Sequence, residues 1–221
     1  MMRAIAGTVL LLTSTVTGLP GQAAGAGQTG RRAILARELE IALARSAAPA
    51  SVSAAARVLV LTDAGFAEGA AGTNGVTCLV NRSWIESLEP ECFDAEASAT
   101  VMQTEVYRTE QYHKGRPKDE VEREVSARLS DGRFRLPRRP ALVYMMSSAQ
   151  KLVSDDGRPA GKWLPHLMLY VPYLTNPDLG LPDPPDMRGF AVNVSDSGRP
   201  WATLVVPVRS FVDPPPGTMP P

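Results

Sequence analysis

The order of elements legible in this chain, a helix, a strand meander, a pair of helices and a second strand meander, predicts an α+β fold. It should be a single domain built on a mainly antiparallel sheet of about five to seven strands, with helices on one side. Three observations carry that expectation. Apolar residues recur at helical spacing in a few segments, short apolar or alternating runs are bounded by Gly, Pro, Asn and Asp, and the two kinds of segment fall in blocks instead of strict alternation.

Residues 31–46 place Leu35, Leu39 and Ala42 on one helical stripe, with Pro49 just beyond the end. The next segment carries Asp-Ala-Gly and Thr-Asn-Gly turn signals and reads as antiparallel strands over residues 57–62, 66–70 and 76–81. Asp94 is placed to cap a helix running to about His113, in which Met102 and Val106 form an i,i+4 pair. Gly115 breaks that helix. Pro117 opens another, with Val121, Val125 and Leu129 as its apolar stripe and Asp119–Arg123 and Glu124–Arg128 as surface pairs; Gly132 ends it. Four more strands follow. Residues 141–146 are apolar without alternation and suit a central position, residues 166–171 lie between prolines, residues 190–194 alternate, and residues 201–208 contain Pro207, which favours an edge.

Residues 1–26 have the layout of a signal peptide. Arg3 precedes a short apolar run, and Ala24 and Ala26 suit a peptidase cleavage site. The predicted organisation is therefore a signal peptide at 1–26, one domain at 27–212 and a proline-rich, disordered tail at 213–221. The apolar run is shorter than a membrane span, which needs about 20 residues, so no transmembrane segment is expected after cleavage. Export to the periplasm or medium turns the two cysteines, Cys78 and Cys92, into an expected disulfide. The 23 basic and 23 acidic residues balance, which gives no global electrostatic reason for a nucleic-acid partner. Two local charge runs read as solvated surface: the acidic one spans Glu86, Glu89, Glu91, Asp94 and Glu96, and the basic one Arg133, Arg135, Arg138 and Arg139.

Four segments, EIALARSAAPASVS from Glu40, GTNGVTCLVNRSW from Gly72, ALVYMMS from Ala141 and PHLMLYVPY from Pro165, resemble a group of exported bacterial proteins that has no assigned function. The resemblance implies an exported, single-domain chain. It implies no catalytic or binding residues.

Catalytic motifs fail on their contexts. Gly25, Gly27 and Gly30 spell a dinucleotide-binding pattern, but a signal peptide precedes them where a strand is needed. Gly157 to Lys162 is one residue too short for a phosphate-binding loop. Ser148 and Lys151 match the S-x-x-K of penicillin-recognising enzymes, yet Ser148 follows a strand and no K-T-G comes later. A Cys78–His166 nucleophile pair, with Asn176 or Asp178 orienting the ring, competes with the disulfide and loses to it in an oxidising compartment. A metal site needs at least three placed ligands, and His113 and His166 are the only histidines, so neither metal nor cofactor is expected. One cluster keeps its interest: His166, Met168 and Tyr170 share a strand face, and Asn176 follows in the exit loop. His166, Tyr170 and Asn176 are therefore the candidate ligand-binding residues. The expected function is an exported, non-catalytic domain that binds a small molecule or a protein; the alternative is a hydrolase using Ser148 or Cys78.

Overall fold

The computed structural model describes residues 32–83, 87–153, 158–184 and 192–218. Strand β1 (Arg57–Thr62) buries Val58, Leu59, Val60 and Leu61 in succession, and β3 (Thr77–Asn81) buries every residue it has. Successive strand residues face opposite sides, so runs of this kind need cover on both faces. On one face, α1 (Arg37–Arg45) sets Leu43 and Ala44 against Val58, Val60, Cys78 and Val80. On the other, α3 (Ala95–Ala99) and α4 (Met102–His113) set Ala97 and Met102 against Leu59, Leu79, Phe93 and Val143. The expectation of helices on one side is thus corrected: the first half of the sheet is sandwiched.

The sheet has eight strands among the described residues, in the order β2-β1-β3-β4-β5-β8-β10-β9. The remaining members are β2 (Gly65–Ala70), β4 (Glu89–Phe93), β5 (Ala141–Met145), β8 (His166–Tyr170), β9 (Asn193–Ser195) and β10 (Thr203–Pro207). A separate hairpin joins β6 (Leu152–Val153) to β7 (Pro159–Gly161). The sheet is mixed, because β3 pairs parallel to β1 through Arg57↔Thr77 and Val58↔Cys78 while the other strand pairings described within it are antiparallel. The loop after β2 makes this possible by passing against the start of β1, where Thr73 N–H donates to Ala55 O and Arg57 N–H to Val76 O. Gly72 is obligatory there. A Cβ on it would lie 2.0 Å from Arg57 N.

The helix expected from Asp94 to His113 is two helices. Asp94 caps α3 through a hydrogen bond from Ala97 N–H, but the backbone leaves helical geometry at Thr100 before α4 begins. In α5 (Lys118–Ser130), Val121 and Val125 pack with Tyr112 and Phe134, and Asp119 pairs with Arg123 as expected. Glu124 does not pair with Arg128. It takes Arg116 at 2.8 Å, while Arg128 stacks over the Tyr107 ring. The acidic run is corrected more deeply, since Glu89 and Glu91 are buried on β4 in the middle of the sheet. Residues 1–31, the beginning of the expected strand at 190–194 and the end of the tail lie outside the described residues.

Two contacts lock the sandwiched half. Cys78 and Cys92 sit opposite each other in the β3–β4 register and form a disulfide within the α1 face of the core. At the end of β3, Arg82 and Glu40 meet at 2.9 Å with both side chains 0 % exposed. Arg82 also donates to Ala33 O and Val80 O, and Glu40 Oε1 accepts from Leu61 N–H, so this pair ties α1 to β1 and β3 at once. Removing one member leaves a charge buried without its counter-ion, which costs about 3–5 kcal/mol. Arg82→Leu should therefore lose stability in that range in urea titration; a loss within the error of a surface substitution would show that the pair holds nothing. Replacing both cysteines by Ala should lower stability by about 3 kcal/mol for a loop of this length. An unchanged melting temperature would contradict the disulfide's structural role.

Candidate functional site

Among the described residues, the helical cover stops after the middle of the sheet. The face of the sheet that carries Leu79, Phe93 and Val143 under α3 and α4 continues onto β8, β10 and β9 with Met168, Tyr170, Val205 and Asn193. Beyond α4 this surface forms the floor of a cleft of about 510 Å³, a size suited to a small molecule. Its far wall is the segment leading into β8. There Gln150 accepts from Trp163 N–H at 2.8 Å and donates to Trp163 O at 2.9 Å, bracketing the backbone and leaving the Trp163 side chain largely exposed. Met145, Met168 and Val205 make the floor apolar.

The polar end lies where β3, β4 and α4 meet. Asn81 is its hub. Its Oδ1 accepts from Arg82 N–H and from Thr109 Oγ1, and its Nδ2 donates to Glu105 Oε2 at 3.1 Å and to Glu91 Oε1 at 3.4 Å. Arg108 holds Glu105 at 2.7 Å and Glu122 at 2.9 Å, so both carboxylates are fixed by one guanidinium. Glu89 accepts from Ser83 N–H and Ser83 Oγ.

These surroundings separate the protonation of the carboxyls. Burial, with Glu105 and Glu89 adding to it, pushes the Glu91 carboxyl well above the usual range; the Asn81 hydrogen bond and Arg108 only partly oppose this. Burial likewise raises Glu89, against its hydrogen bonds from Ser87 and Ser83. Burial also works against ionised Glu122, but Arg108 and the Tyr112 hydroxyl outweigh it and hold that carboxyl below the usual range. Glu91 thus holds its proton more tightly than the ion-paired Glu122 nearby.

Of the candidate residues, His166 and Tyr170 both line the cleft and Asn176 does not. His166 donates Nδ1–H to Leu164 O, which leaves Nε2 as the acceptor, and burial lowers its pKa. Tyr170 stands at the junction with a second chamber of about 440 Å³ that also reaches Arg108 and Trp201; burial and the nearby Glu105 and Glu91 push its phenol up. Asn176 is buried under the far edge of the sheet, where its amide bonds both Val194 N–H and Val194 O and so holds β9 in place. Ser148 donates to Asp213, and Lys151 is tied through its backbone to Leu88. Cys78 is committed to the disulfide. Among the described residues, no group of three His, Cys, Asp or Glu is placed to hold a metal ion.

Sequence reasoning missed Asn81, Glu89, Glu91 and Glu105. The available signal was the alternation Glu89-Pro90-Glu91-Cys92-Phe93, which puts both glutamates on one strand face with Phe93. No family model, no curated protein and no solved structure matches this chain.

The raised Glu91 pKa has a consequence for stability. A carboxyl that binds its proton more tightly when folded contributes stability that is fully present below the unfolded value, about 4.5, and lost as pH rises through the higher folded value. Glu91→Gln is neutral throughout, so it should melt above the parent at mildly alkaline pH and converge with it in acid. A variant less stable than the parent at alkaline pH would show that Glu91 is ionised and stabilising there.

Proposed function

We propose that this chain is an exported, non-catalytic binding protein that takes a small, mostly apolar molecule into the cleft over the second half of its sheet. The observation that carries the proposal is the uncovered strip of β8 and β10, where Met168 and Val205 lie at the bottom of a cleft with hydrogen-bonding groups gathered at one end. An apolar surface left open in this way is stabilised by whatever covers it. Several features support export. The disulfide suits an oxidising compartment, the first residues read as a signal peptide, and no helix among the described residues is long and apolar enough to cross a membrane. The non-catalytic reading is supported by the side chains once considered as nucleophiles, since Cys78 is bonded to Cys92 and the hydroxyl of Ser148 is engaged by Asp213.

The test is binding of Nile red, a neutral apolar dye, followed by its fluorescence. Dye should bind the parent and fail to bind Met168→Arg, whose side chain would occupy the floor, by about tenfold or more in affinity. Since Met168 is only partly buried, the variant should keep its cooperative melt. Equal binding by parent and variant, or none by either, would overturn the proposal.

A further inference from the structure

The cleft and the second chamber lie end to end on one strand face. In the β8–β10 register His166 stands opposite Pro207, Met168 opposite Val205 and Tyr170 opposite Thr203. Alternate residues of a strand share a face, so these pairs form one continuous floor. The first two pairs line only the cleft of about 510 Å³, Thr203 and Trp201 line only the chamber of about 440 Å³, and Tyr170 lines both. Its ring packs against the core cluster that holds Phe93 and Val143, which fixes it in place. The other residues common to the two linings are polar: Asn81, Ser83 and Glu105. Asn81 is bonded to Glu105, and Glu105 to Arg108. An apolar chain laid over these groups would take water from them and return no hydrogen bond, which is unfavourable. Past this junction the lining turns apolar again with Val101, Leu129, Leu136 and Trp201.

From this arrangement we infer that Tyr170 is a specificity-determining residue, whose ring ends the cleft and so sets the longest apolar chain the ligand can carry. The inference rests on the proposed function and adds a length limit to it. A chain entering beside the exposed Trp163 side chain crosses Pro207 and His166, then Val205 and Met168, and meets the ring. From His166 to Tyr170 the strand advances about 13 Å. Each methylene that covers apolar floor tightens binding, and one that reaches the ring finds nothing further to cover. Without the ring the two chambers become one, because Thr203 and Trp201 continue the floor beyond it.

Displacement of Nile red from the whole protein by unbranched primary alcohols, from hexanol to dodecanol, tests the limit. In the parent, affinity should rise about fourfold per methylene and then level off within the series. In Tyr170→Ala it should go on rising past that length, while Tyr170→Phe, which keeps the ring, should level off where the parent does. Val205→Phe adds bulk to the floor one pair before Tyr170 and should level off at a shorter chain, an outcome that does not depend on Tyr170→Ala folding. The same limit in the parent and in folded Tyr170→Ala, a limit unmoved by Val205→Phe, or no limit in the parent would overturn the inference. Nile red bound by the parent but displaced by no alcohol would overturn the length limit and leave the binding cleft standing. Nile red refused by the parent would overturn both.

Discussion

Arg82 and Asn81 are neighbours at the end of β3 that point to opposite faces of the sheet, and the rest of the architecture depends on what each finds there. Arg82 goes into the α1 side, where Glu40 neutralises it and leaves no room for water on either partner. Asn81 goes to the α4 side and gathers Thr109, Glu105 and Glu91 around one amide. The backbone links the two, because Arg82 N–H itself donates to Asn81 Oδ1. A buried ion pair contributes little net stability compared with an apolar pair of equal volume, but it penalises every other arrangement strongly. Here that penalty fixes the register of α1 against β1 and β3, and so fixes where Asn81 presents its amide.

The acidic strand β4 is the structure's main concession. Glu89 and Glu91 occupy positions that a purely structural sheet would fill with Val or Ile, and both are held there with raised proton affinity. The neighbouring disulfide at Cys92 and the close packing of Phe93 offset this on the same strand. Stability given up at a cluster of buried polar groups, and restored by cross-links beside it, is what a site shaped for a ligand looks like. The uncovered floor on β8 and β10 fits the same account, since helical cover there would bury Met168 and Val205 and remove the cleft.

Much of the scaffold was legible because local pattern and tertiary demand agree. β1 falls on the expected residues, and the limits of β3, β5, β8 and α5 shift by a residue or so. The period of two also put His166 and Tyr170 on one face, and that face is the floor of the cleft. What stayed hidden depends on long-range partners. EPECF shows Pro and two glutamates, which suggest a loop, and only the burial between β3 and β5 makes it a strand. Parallel pairing of β1 with β3 rests on a backbone approach at Gly72 that no periodicity announces. Asn176 looked like a polar handle for a ligand, yet its amide is consumed by Val194. The covering of β1 by helices on both faces was readable in RVLVL, where four apolar residues follow one another without alternation.

The central claim is that the open half of the sheet exists to hold a small molecule. Native mass spectrometry of the protein purified without denaturation tests it most directly. The account predicts a population carrying a bound small-molecule adduct that mild collisional activation releases, with the adduct lost when Met168 is replaced by Arg. A bare mass under all gentle conditions, together with a crystal structure in which Trp163 and Tyr170 close over Met168 and fill the cleft with protein, would contradict it.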